Sequence, residues 1–524
     1  MQDLYDYVIV GGGTAGAIVA ARLSEDPHVS VALVEWGPSD EREDRALQLR
    51  RYPEMLGSEY DLSYACVPSP GGNPDHRLAR GRILGGTSSL NNMGLLPPIP
   101  ADLEAWAELG VTGWDYAEFA AYRTKLAVRG TRPTDEQRNP CLEDALAAAV
   151  AALSIPTLES WPTAEIREGA GYLDLGYDPD TGLRSSSSIA YLHGILGIRS
   201  NLHLLLERRV TAVELEDGRA VGVRAVGADG SELLVRAGRE TVIACGAIDT
   251  PRLLLLSGIG PADHLASVGI APEVDLPGVG ENLVDHVESL VVLELDRPAD
   301  GGWPAELDAA AFVAWFDADA VAPQVMAHLF RFAPDETYGG ARGDGAPLPE
   351  HTLAMTPNVT RPRSRGHVRL ASADPDQPPI VDFRYFSDAE GQDRRTILEG
   401  IRMARQVAAT PPLSDWVVRE VFPGPELQAD DELFERVHAT HGSVCHAAGT
   451  CRMGADDDPL AVLDSRLRVR GVDGLRVVDA SAFPTLTTFN PMITVMMLAE
   501  HAATLIADDR AASGLAAVRE TVTT

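Results

Sequence analysis

The apolar run from Tyr5 to Val10 predicts a short buried strand, and Ala15 to Leu23, just past a glycine-rich turn, reads as a helix. Val29 to Val34 repeats the buried-strand pattern and ends in Glu35. Ala145 to Leu153 is an alanine-rich helix former. Asn201 to Val210 is strand-like, and the Thr211–Leu215 and Ala220–Val226 strands follow, joined by a turn at Glu216-Asp217-Gly218. Glu240 to Ala244 is another buried strand, running into a leucine-rich helix that starts near Thr250-Pro251. From about Val287 to Val437 the pattern changes. Proline and glycine cluster at Asp300 to Pro304 and at Tyr338 to Pro349, while Gln324–Phe330 and Gly366–Leu370 alternate like strands of one sheet. The first pattern returns at His438, with a strand at Leu475–Asp479 and an apolar helix at Pro491–Ile506 with proline in its first turn. Asp508 to Thr524 reads as frayed.

The first turn holds Gly11, Gly13 and Gly16 in G-x-G-x-x-G spacing between a strand and a helix, with an acid closing the next strand. Each part has a task in dinucleotide binding. Gly11 permits the tight turn, Gly13 lets backbone approach a diphosphate, and Gly16 lets helix and strand pack closely. The helix N-terminus attracts the phosphates, and Glu35 can accept hydrogen bonds from a ribose. The motif does not separate FAD from NAD. The alternating patterns predict an α/β (α+β two-domain) fold: a Rossmann-like dinucleotide-binding domain in three parts (1–155, 201–286 and 438–510). A substrate domain with an antiparallel sheet is interleaved (156–200 and 287–437), and 511–524 forms a tail.

A chain of 524 residues is too long for one compact core, which agrees with two domains. The formal net charge of −33 argues against nucleic-acid or anionic-membrane partners. Lys125 is the single lysine, which disfavours Schiff-base chemistry. Cys66, Cys141, Cys245, Cys445 and Cys451 form no metal-binding spacing and read as reduced thiols. No apolar run is long enough to span a membrane, and the N-terminus lacks the pattern of a signal peptide, so a cytoplasmic location is expected.

Two polar residues stand out late in the chain. His446 lies in HAAGTCRMG, and Asn490 stands directly before the proline that opens the last helix. A base and a hydrogen-bonding amide at a helix N-terminus suit oxidation of an alcohol beside an electron-accepting ring. His328 and His367 are further candidates for the substrate pocket. His286, His441 and His501 read as structural or surface residues, and Met492, Met496, Met497 and Cys451 as packing.

Six segments, YDYVIVGGGTAGA, ARGRILGGTSS, GAIDTPRLLLLSGIGP, LPGVGENLVDH, HAAGTCRMG and LRVVDASAFPTLTTFNPMITVMMLAE, occur in the order found in the glucose–methanol–choline (GMC) oxidoreductases. The chain resembles that family from residue 5 to about residue 507, most closely its choline oxidase, choline dehydrogenase and aryl-alcohol oxidase branch. The resemblance implies FAD and oxidation of a small-molecule alcohol to the aldehyde or ketone, with hydride transfer to flavin N5. Oxygen or another acceptor would then reoxidise the flavin. It implies that His446 is the general base and Asn490 its partner. It also assigns cofactor contacts to Gly11, Gly13, Thr14, Ala15, Gly16, Glu35, Gly85, Gly86, Ser88, Asn91, Asn92, Gly94, Leu95, Val210, Cys245, Gly246, Asp479, Ala480, Asn490, Pro491 and Met492. Two departures matter. Leu90 stands where some relatives carry a flavin-linking histidine, so noncovalent FAD is expected. Ala447 replaces a frequent proline, which predicts a looser loop behind His446. A lyase using FAD only as scaffold, a redox-silent FAD-binding protein and an NAD-dependent enzyme are the alternatives. A monomer and a dimer are both compatible with the sequence.

Overall fold

The structure, a computed structural model, describes residues 4–161, 168–300, 309–317, 319–331 and 348–523. Most of the proline and glycine clusters near 300 and 340 lie outside these residues.

Among the described residues, one sheet holds seven strands. Leu4–Val10 lies between Val31–Val34 and the long strand Glu232–Ile243, parallel to both, and Leu202–Leu205 pairs parallel outside Val31–Val34. The long strand serves two neighbourhoods. Its last residues also pair parallel with Leu475–Val477, while its first half pairs antiparallel with Arg219–Gly227, and that strand with Arg208–Glu216. The Gly16–Leu23 helix packs against Leu4–Val10 and Val31–Val34, and the Arg208–Glu216 strand also reaches Val31–Val34. Val8, Ile9, Val31, Ala32 and Leu33 are fully buried, so the run has no polar alternation. The run at Asn201–Val210 divides into two strands because Glu207 adopts a left-handed turn (φ 54°) between them.

Gly16 opens the Gly16–Leu23 helix, and a Cβ there would overlap the Gly11 carbonyl oxygen. That overlap involves rigid backbone on both sides. Gly16→Ala is therefore expected to cost at least about 1–3 kcal/mol, the usual range for overpacking. A lowered melting temperature and a reduced flavin-to-protein ratio would show it.

The leucine-rich helix starts at Gly246 rather than near Thr250, and Pro251 sits inside it. Proline removes the bond that would reach the Ala247 carbonyl, and the Thr450 hydroxyl donates to that oxygen at 2.6 Å instead.

The second sheet is antiparallel, in the order Val417–Phe422, Val291–Leu295, Thr352–Val359, Val325–Phe330, Ala310–Ala314, Gly169–Tyr172. Alternation along Val325–Phe330 sends Ala327 and Leu329 into the core shared with the Pro140–Leu153 and Gln392–Ala408 helices. His328 and Phe330 face the other way, into a cavity against the first sheet. His367–Arg369 does not join this sheet. It forms a separate two-stranded ribbon with Ile380–Asp382, which removes His367 from the substrate side.

The C-terminal helix runs from Met492 to Thr523, well past Ile506. The expected frayed end overlooked Asp509, whose carboxylate receives Arg466 at 2.8 Å and also Arg468 and Arg476, fixing the extension to the body.

Candidate active site

Among the described residues, a continuous cavity runs between the two sheets. At one end it is lined by Gly11, Gly13, Thr14, Ala15, Glu35 and Val210, and at the other by His328, His446 and Asn490. Its middle is lined by Gly86, Asn91, Asn92, Gly94, Cys245, Gly246, Asp479, Ala480, Pro491 and Met492. Four of the expected contact residues are not on its wall. Gly16 packs against the Gly11 backbone. Gly85 is tied to the Gly12 carbonyl and faces the Ser89 and Ser188 hydroxyls. Ser88 is buried behind the loop, donating to the Gly85 carbonyl at 2.7 Å. Leu95 turns into the core beside Gly130 and Gly176. These residues shape the wall from behind, because the glycine-rich loop is two layers thick here.

The wall fits FAD. A Cβ placed on Gly13 would meet nothing nearer than Gly86 Cα at 3.7 Å, so open space lies where a diphosphate needs close backbone approach at a helix N-terminus. Glu35 receives the Gly12 N–H at 2.7 Å and the Gly37 N–H at 2.6 Å. Burial nevertheless raises its pKa to about 7, and ribose hydroxyls would supply further donors to it. Asp479 is already engaged by the Gly246 N–H (2.9 Å), the Thr250 hydroxyl (2.6 Å) and the Ser481 N–H (2.8 Å). It acts as a clamp joining the Gly246 turn to the last segment.

The His446 loop leaves the short Gly442–Ser443 strand, which pairs with Val287–Glu288. Cys445 takes a left-handed conformation (φ 63°) and so turns the chain sharply. The buried Asp285 carboxylate secures the turn. It accepts the His446 N–H at 2.6 Å, the Tyr385 hydroxyl at 2.5 Å and the Ser443 hydroxyl. Arg80 donates to the Cys445 carbonyl at 2.9 Å, and Ala448 bridges to Val284. These ties counter the looseness expected from Ala447, which is itself buried.

Asn490 is held from the other side. Buried Asp102 accepts the Thr488 N–H at 2.9 Å and the Thr488 hydroxyl at 2.6 Å, and the Trp106 indole donates to the Thr485 carbonyl at 3.1 Å. The helix then starts at Met492, placing unpaired backbone N–H groups and a partial positive charge at the cavity wall. His328 lies within hydrogen-bonding reach of the Asn490 amide.

Burial drives the pKa of His446 well below the ordinary imidazole value, helped by the neighbouring His286, His328 and Arg80. His446 is therefore neutral and able to accept a proton near neutral pH. Two residues with no assigned role in the sequence reading sit at this site. His286, read as structural or surface, touches His446 with Nδ1–Nδ1 at 2.8 Å. Glu288 lines the same cavity end, and burial raises its pKa to about 8. Its signal was an acid two residues beyond the Asp285-His286 pair, readable only once the Val287–Glu288 strand is known to face the ring site.

Sequence models described as GMC oxidoreductase match residues 5–288 and 362–499. The chain is similar to choline oxidase of Arthrobacter globiformis, 42% identical over 97% of this chain and 95% of that protein. It is also similar to oxygen-dependent choline dehydrogenase of Staphylococcus xylosus, 34% identical over 97% and 95%. Among solved structures it resembles pyridoxine 4-oxidase from Mesorbium loti, with TM-score 0.86 and 29% identity over 95% of this chain and 98% of that one.

Proposed function

The chain belongs to the GMC oxidoreductase family, and from that premise we propose that it oxidises a small alcohol carrying a cationic nitrogen, of the kind choline represents. FAD-dependent alcohol oxidation itself follows from the family and from the relatives in hand, and nothing among them favours a lyase. The finer reading rests on one observation: Glu288 is a buried carboxyl on the wall that also carries His446 and Asn490. Among the described residues no arginine or lysine forms an ion pair with it. A buried acid without a counter-ion is unfavourable when charged, and a cationic substrate would supply the missing charge.

When bound, FAD supplies the electron acceptor. His446 takes the hydroxyl proton as general base, and the Asn490 amide holds the alcohol oxygen and fixes its orientation. The N-terminus of the Met492–Thr523 helix favours negative charge developing beside it. We assign oxygen as the reoxidant, after the names of the two choline-oxidising relatives. Stoichiometric hydrogen peroxide from choline turnover supports that assignment, and turnover only with artificial acceptors overturns it.

Leu90 is an apolar, buried side chain on this wall and offers no nucleophile for a covalent link. Acid precipitation of the holoprotein is expected to release all the flavin into the supernatant, and yellow colour remaining in the pellet would contradict it.

A further inference from the structure

We propose that His286 is the positioning residue that fixes the tautomer of His446, holding its proton on Nδ1 and leaving Nε2 bare toward the cavity. The proposal rests on the reading of His446 as the base and goes beyond it by stating which nitrogen acts and why.

His286 is buried, with its ring nearly perpendicular to that of His446 (85°) and the centroids 5.0 Å apart. Its Nε2 faces two backbone carbonyls, Thr360 O at 2.9 Å and Thr487 O at 3.0 Å. A carbonyl only accepts, so this nitrogen must carry the proton. The reverse arrangement would press a ring lone pair against two carbonyl lone pairs in a dry site. Burial lowers the His286 pKa to about 4, so the ring is neutral and holds one proton. Its Nδ1 is consequently an acceptor. That Nδ1 stands 2.8 Å from His446 Nδ1, and the proton between them belongs to His446.

Neutral His446 with its proton on Nδ1 has its other nitrogen free. His446 lines the cavity and its Nδ1 is taken by His286, so Nε2 is the nitrogen left to meet the substrate hydroxyl. Once Nε2 has taken the proton, the Nδ1–H bond to His286 persists and strengthens, because the donor is now charged. The same contact therefore sets the resting tautomer, orients the ring and favours its protonated form. The anchors come from remote parts of the chain: Thr360 follows the Thr352–Val359 strand, and Thr487 lies just before Asn490. The element that aims the base is thus tied to the segment that places its partner.

The test is long-range proton–nitrogen correlation on the FAD-bound enzyme labelled with 15N-histidine, with the His446 signals assigned from a His446→Gln sample. The expected spectrum shows His446 protonated at Nδ1 and bare at Nε2. His286→Leu, which removes the acceptor, is expected to mix the two tautomers and to slow flavin reduction by roughly 10–100-fold, a common effect of losing an orienting partner. Substrate dissociation constants should change little. His286→Gln keeps an acceptor oxygen and amide donors and should recover part of the rate. A wild-type His446 protonated at Nε2 overturns the proposal, as does a folded His286→Leu enzyme with unchanged tautomer and rate. If the leucine variant does not fold, the wild-type spectrum decides alone. If the tautomer is as stated but no alcohol reduces the flavin, the functional reading fails and the tautomer assignment stands.

Discussion

His446→Ala is expected to bind FAD normally and to lose roughly 10²–10⁴ in the rate of flavin reduction, the usual contribution of a positioned general base. Cofactor retention follows from geometry. The Gly13, Glu35 and Val210 end of the cavity is built by other elements, and the loop around residue 446 is secured through backbone N–H and carbonyl groups rather than through the imidazole. The loss follows from chemistry. Glu288 and His328 line the same cavity, yet neither replaces the base. In the proposed pose Glu288 faces the cationic nitrogen of the substrate rather than its hydroxyl, and His328 lies within reach of the Asn490 amide. Anaerobic stopped-flow bleaching of the variant by choline measures the effect. A rate within tenfold of wild type would remove His446 from the assigned role.

The parts of the sequence that could be read were those where one residue type has one physical use. The glycine turn between two apolar runs announced the parallel sheet, because Gly16 tolerates no Cβ and Val8 to Val10 are buried. The interleaved second sheet was legible from the alternation at 324–330, which does separate core-facing Ala327 from cavity-facing His328. Other features depend on contacts that spacing does not encode. The ribbon at His367–Arg369 alternates just as a strand of the main sheet would. Its true partner, Ile380–Asp382, is chosen by a local turn. The C-terminal extension is held by Asp509 through three arginines from the 466–476 segment, a pairing across the fold. His286 reads as structural because a lone histidine usually is, and only the approach of Thr360 and Thr487 gives it a defined proton. Ser88 and Leu95 lie in the right loop but in its rear layer, a distinction of depth that a linear motif cannot carry.

Glu288→Gln carries the other large effect, and it is selective. The substitution keeps volume and removes the charge that a cationic substrate would meet. Truncating one partner of a buried charge pair costs about 2–5 kcal/mol, which corresponds to roughly a 30- to several-thousand-fold drop in kcat/KM for choline at about 1.4 kcal/mol per tenfold. The uncharged isostere 3,3-dimethylbutan-1-ol makes no such pair, so its kcat/KM should change by less than about tenfold, and the wild-type preference for choline over it should collapse. The pH dependence has a fixed sign. Burial raises the Glu288 pKa to about 8, so without substrate the carboxyl is mainly neutral below that value and ionised above it. A cation binds the ionised form, so choline affinity should rise as pH increases toward 8 and level off above it. By linkage the bound cation pulls the same pKa down. The Gln variant should lose this limb while any limb belonging to His446 remains. If the variant keeps its preference for choline over the neutral isostere, or keeps the limb near pH 8, the cation is recognised elsewhere and Glu288 serves only the wall.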